Sequence, residues 1–141
     1  MKNGKEKIEI RSIVKASQEA VWNSYTNPEH IMKWNSASDD WHSPHAENDL
    51  NVGGKFLYRM EAKDGSYGFD FTGKFDEIEP LDHIAYTLDD GRKVDAVFTR
   101  QGDQIEVVQT FEAEDSHSIE EQRSGWQAIL DNFMKYTESH F

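Results

Sequence analysis

The stretch SIEEQRSGWQAILDNFMKYTESHF, residues 118–141, reads as one amphipathic helix. Ile119, Arg123, Trp126, Ile129, Leu130, Phe133 and Thr137 recur at helical spacing, while Glu120, Gln127, Asp131 and Lys135 take the other side. A broad apolar stripe of this kind must be buried against another element. The rest of the chain alternates like β-sheet, so the helix has a sheet as its partner. A sheet curved around a long helix has an interior, and an interior can hold a ligand.

Upstream of the helix, Lys5–Val14 places Ile8, Ile10 and Val14 on one side and Lys7, Glu9 and Arg11 on the other, as in a half-buried strand. Ser17 caps a short helix containing Val21, Trp22 and Tyr25. Asn27-Pro28 then starts a second one, with Asn27 as the cap and Pro28 in the first turn, leading to Ile31 and Trp34. Asn35–Gly54, rich in Ser, Asp, Asn and His, reads as an irregular stretch anchored by Trp41 and Leu50. Five strands follow, over Lys55–Ala62, Tyr67–Glu79, Asp82–Leu88, Arg92–Arg100 and Gln104–Phe111. Their turns contain Gly65, Gly91 and Gly102, which suit tight hairpins. Within the longest strand, Gly73 marks a point of bending or crowding. The expected order is β-α-α-β-β-β-β-β-α in a single domain over residues 1–141.

Composition narrows the partners. The formal charge of −12 repels phosphate backbones and argues against nucleic acid or an anionic membrane surface. No window approaches the roughly 18 apolar residues of a membrane span, and MKNGKEKIEI lacks an apolar leader core, so a cytoplasmic protein is expected. With no cysteine there is neither a disulfide nor a thiol nucleophile. Buried volume falls instead to 4 Trp, 5 Tyr and 8 Phe.

That element order resembles the helix-grip fold of the START-like (SRPBCC) superfamily, an α+β architecture in which a curved antiparallel sheet wraps a long C-terminal helix. The local sequence is similar to the family related to the C-terminal domain of the activator of Hsp90 ATPase. The likeness is carried by Ala16–Trp22, Ile31–Trp34, Gly53–Phe56, Gly73–Ile84 and Gly125–Phe133. It implies an apolar cavity for a hydrophobic or lipid-like small molecule, and a chaperone contact or stress-adaptor role as an alternative. It supplies no catalytic triad.

The residues themselves carry little catalytic signal. Gly53-Gly54 lacks the Lys and Ser or Thr of a phosphate loop and reads as a turn. His42 and His45 have a spacing that zinc could use, but they lie in an acidic loop without a scaffold, so no metal and no cofactor is expected. His83, His117 and His140 read as structural residues. A cyclase, dehydratase or hydrolase acting on a polyketide or aromatic substrate is a further alternative. It would need acid–base work from His30, His42 or an Asp near Arg123.

The expected cavity lies between the sheet and the terminal helix, with its mouth near residues 34–51. Its candidate ligand-binding residues are Trp34, Phe56, Tyr58, Phe69, Phe71, Tyr86, Arg123, Trp126 and Leu130. Arg123, Tyr58 or Tyr86 would orient a polar end. Gly125 is costly inside a helix, and close approach to the sheet or to a ligand would compensate. A monomer or weak homodimer is expected, the latter through a sheet edge or Trp41. Trp126→Ala should cost roughly 3–5 kcal/mol if the ring is fully packed core. If the ring lines an open cavity, the loss is smaller and apolar probe binding changes strongly; urea unfolding beside a probe titration separates the two.

Overall fold

The computed structural model describes residues 6–141; the expected strand start at Lys5 lies outside the described residues. The elements are β1 (Lys7–Val14), α1 (Gln18–Thr26), α2 (Pro28–Trp34), β2 (Trp41–Asn48), β3 (Lys55–Ala62), β4 (Gly68–Glu79), β5 (His83–Leu88), β6 (Lys93–Gln101), β7 (Gln104–Glu112) and α3 (Ile119–His140). The strands form one antiparallel sheet in the order β1-β7-β6-β5-β4-β3-β2. This curved sheet wraps α3 in the helix-grip arrangement. No helix among the described residues is long and apolar enough to cross a membrane.

One strand departs from the expectation. β2 forms inside residues 35–54, the stretch whose composition reads as irregular. Ser43, Pro44 and Asn48 are weak strand formers, and the register shifts between His42 and His45. Pro44 is tolerated because β2 is an edge strand, where a missing N–H breaks no ladder on the open side. Strand status here comes from pairing with β3, which local sequence does not reveal.

Alternation elsewhere works as its residues dictate. Ile8, Ile10 and Val14 of β1, Val94, Ala96 and Phe98 of β6, and Ile105, Val107 and Phe111 of β7 are all buried on the face toward α3. In β4 a bulge falls between Phe75 and Glu77. The extra residue lets Phe75 and Ile78, three positions apart, both pair with inward residues, Tyr86 and Ile84. Gly73 is required by close approach. A methyl group there would come 2.5 Å from the Thr87 carbonyl oxygen and 2.8 Å from Phe56 Cζ.

The two short helices lie under one half of α3 only. Tyr25 stacks on Trp34 and meets Phe98 and Phe133 edge-on. Trp34 Nε1 donates to the Ser24 carbonyl at 2.8 Å, and Thr137 Oγ1 donates to Ser24 Oγ at 2.7 Å. Ser24, Phe133 and Thr137 are fully buried, so this end of the molecule is closed.

The outer face carries one titratable junction. His83 faces Glu79 through Nδ1 at 3.1 Å and Asp95 through Nε2. Both ring nitrogens can donate only if the imidazole is protonated. Burial alone would lower the His83 pKa, but Asp95, with help from Glu79 and Glu77, outweighs it and the net shift is upward. With the folded pKa raised, this contribution is complete below about pH 6.5 and is lost as pH rises through the higher folded value. Urea midpoints measured across that range should therefore fall more steeply with rising pH in wild type than in His83→Gln.

Candidate ligand-binding cavity

The sequence starts α3 firmly. Ser118 and Glu121 form a reciprocal capping box, each side chain bonding the other's backbone N–H. Gln122, one turn on, is buried and fully engaged. Its amide nitrogen donates to the carbonyls of Glu114 and His117, and its oxygen accepts from the Glu114 N–H. These bonds fasten the loop from β7 into the helix. Further along, Arg123 Nη1 donates to the Glu9 carbonyl at 3.0 Å and Gln127 Nε2 to the Arg11 carbonyl at 3.1 Å. Both acceptors belong to β1, the other edge of the sheet. The helix is thus clipped along β1, while its N-terminal half spans a void.

That void is a cavity of about 400 Å³ between α3 and the inner faces of β3, β4, β5 and β7. Trp34, Phe56, Tyr58, Phe69, Phe71, Tyr86, Trp126 and Leu130 all border it. Arg123 does not; it is exposed, and its guanidinium reaches the β1 backbone instead. The expectation of Arg123 as a cavity residue is corrected for a geometric reason. Position 123 lies on the flank of the helix that meets the sheet edge, and a long side chain there satisfies an unpaired strand carbonyl. Trp126 is partly buried. It stacks on Phe111 with centroids 3.9 Å apart and an interplanar angle of 9°, and meets Phe71 edge-on at 6.0 Å.

The wall is aromatic and the polar groups are few. Phe56 contacts Tyr58, Phe71, Phe75 and Tyr86 through ring faces and edges. At the floor, Tyr25 Oη donates to Gln109 Oε1 at 3.3 Å, with Tyr86 beside it. Asn48 Nδ2 donates to the Thr26 carbonyl and to Tyr58 Oη. Burial pushes the hydroxyls of Tyr25, Tyr58 and Tyr86 well above the usual phenol range, so the floor is uncharged. The rim differs. Glu114, His117 and Glu121 border it, with His117 Nδ1 3.0 Å from Glu114 Oε1. Hydrogen bonds with Ser118, its backbone N–H first, hold Glu121 below the usual carboxylate range. Arg92 borders the cavity too, its Nε donating to Asp90 Oδ2 at 2.8 Å.

The remaining candidates lie elsewhere. His30 is off the cavity, its Nδ1 2.6 Å from Tyr136 Oη. His42 and His45 face separate carboxylates, Glu61 and Glu47. Asp70 points outward to Arg59 and Asp95 to His83. Sequence reading missed Arg92, Asn35 and Gln109. For Gln109 a signal existed: it occupies the inward slot between Val107 and Phe111 in an otherwise apolar row.

Gly125 borders the cavity, and a Cβ there would meet nothing within 4 Å. The expected close approach to the sheet is absent. Gly125→Ala should therefore stabilise the protein by about 0.5–1 kcal/mol, the helix-interior cost of glycine, as read from the urea midpoint. Destabilisation would show that the position is crowded.

Comparison with known proteins agrees with this architecture. The family profile of the activator of Hsp90 ATPase homolog 1-like protein matches residues 15–138. An AHSA1-like protein from Aeromonas hydrophila is 46 % identical, with 95 % of this chain and 93 % of that one covered and a TM-score of 0.90. A protein from Cytophaga hutchinsonii is 50 % identical over 94 % of this chain and 92 % of its own, with a TM-score of 0.82. A protein from Micromonospora echinospora, 19 % identical over 93 % of this chain and 75 % of its own, has a TM-score of 0.69 and shares the fold. No curated protein matches.

Proposed function

This chain belongs to the activator of Hsp90 ATPase homolog 1-like family, and on that premise we propose that it binds a hydrophobic or lipid-like small molecule between its sheet and α3. The observation that carries this reading is the cavity of about 400 Å³ walled by aromatic side chains, a size within the usual range for ligand sites. Burying about 200 Å² of apolar ligand surface contributes roughly 5 kcal/mol before the loss of ligand motion is subtracted. Trp34, Phe56, Phe71, Trp126 and Leu130 supply that surface, while Tyr58 and Tyr86 present polar tips. A cytoplasmic setting goes with the same reading.

A second reading, contact with a chaperone, is favoured by one surface feature beside the family relationship. Trp41, Tyr67 and Phe69 form a ring cluster with centroids 5.9–6.2 Å apart, and Tyr67 is 63 % exposed. Phe69 belongs to both the cluster and the cavity border, so a partner seated there would also lie against the cavity. Loss of chaperone capture in Tyr67→Ser, with probe binding retained, would support this reading.

Titration with diphenylmethane, followed by amide-resolved NMR, tests the main proposal. The expected result is saturable shifts at Phe71, Trp126 and Ile129. Gly125→Leu, which places a side chain into open space at the cavity, should weaken binding by about tenfold or more. Shifts confined to the outer sheet face would overturn it.

A further inference from the structure

The cavity holds polar groups that the protein itself leaves unanswered. Gln109 sits in the middle of β7, opposite Ile10 on one side and Ala96 on the other, and only 8 % of it is exposed. A carboxamide in such a row is costly unless its hydrogen bonds are made. Half of them are. The Tyr25 hydroxyl donates to the Gln109 side-chain oxygen at 3.3 Å. The amide oxygen is thereby engaged, and the N–H₂ has no protein acceptor among the described residues; no fully enclosed side-chain nitrogen or oxygen there lacks a partner, so this group opens onto the cavity.

Two more groups on the cavity wall share this condition. Asn35, 9 % exposed at the end of α2, makes no side-chain hydrogen bond among the described residues. Tyr58 Oη accepts from Asn48, which leaves its own proton without a protein acceptor. Gln109 and Tyr58 thus present donors, Asn35 presents both a donor and an acceptor, and no charged side chain lies at the floor to pair a formal charge. Arg92, at the cavity border, is already held by Asp90, and Glu114 and Glu121 add negative charge at the rim.

Resting on the binding function argued above, we propose that the cavity selects an uncharged ligand with a carbonyl group, whose oxygen accepts from the Gln109 amide N–H. The Tyr58 hydroxyl is a further donor at the cavity, and the Asn35 amide can serve as donor or acceptor. An apolar body of aromatic width then lies along Phe56, Phe71 and Trp126. Gln109 is the specificity-determining residue; the aromatic wall sets affinity without distinguishing a ketone from a hydrocarbon.

Three probes of matched shape test this: benzophenone, diphenylmethane and diphenylacetate. Affinities come from equilibrium dialysis against wild type and Gln109→Leu. Wild type should bind benzophenone roughly tenfold more tightly than diphenylmethane, the size of one net hydrogen bond, with diphenylacetate weakest. In Gln109→Leu the preference for the ketone should vanish while diphenylmethane still binds. If that variant does not fold, the carbonyl stretching band of benzophenone bound to wild type serves instead, and it should move to lower frequency than in hydrocarbon solvent. Equal binding of ketone and hydrocarbon, or an unmoved band, overturns this inference and leaves the cavity reading intact. Tightest binding of diphenylacetate overturns the uncharged class. Binding of none of the three overturns both.

Discussion

The packing of Tyr25 against Trp34, Phe98 and Phe133 is the contact on which the rest of the structure depends. It joins α1, α2, β6 and α3 at one point and closes one end of the interior. Stacked and edge-on ring pairs of this kind contribute about 0.5–1.5 kcal/mol each beyond the area they bury. Below this junction α3 is gripped by side chains from both short helices. Above it, α1 and α2 supply no further rings, and the same α3 passes over empty space. The cavity therefore comes from where two short helices stop.

Polar clips hold α3 in place over that space. Its flank answers the unpaired carbonyls of β1 through Arg123 and Gln127, and Glu138 accepts from the Lys15 N–H further down. An edge strand with unanswered backbone groups invites pairing with another chain, and a helix laid along it removes the invitation. At the opposite edge α2 lies against β2, whose Pro44 and shifted register already spoil it as a template. The clips hold the N-terminal half of α3 where its inner face borders the cavity, while Phe133 and Thr137 anchor the helix at the closed end.

Much of this architecture was legible along the chain. The caps at Ser17, Asn27 and Ser118, the glycines at the hairpins and the period of the terminal helix are each set by near neighbours. The candidate aromatic residues were also legible as inward-facing, because alternation in a strand assigns a face to each of them. β2 was not, since Ser43 and Pro44 become strand only by pairing with β3. Arg123 misled for a related reason: the spacing put it on the buried stripe, yet the stripe meets the sheet edge at that position and the sheet interior three residues later.

By itself, then, the sequence determined the order of the elements, the face that each strand and helix buries, and the aromatic character of the interior. Those properties depend on residues a few positions apart and on the fixed periods of helix and strand. Only the tertiary structure decided that the interior is partly hollow, that Arg123 serves the edge of β1, and that Gln109 and Asn35 border the cavity. A void is the volume left over when side chains from distant segments fail to fill a space. An unanswered hydrogen-bonding group is likewise defined by what is missing around it in three dimensions. Neither quantity is carried by any local stretch of chain.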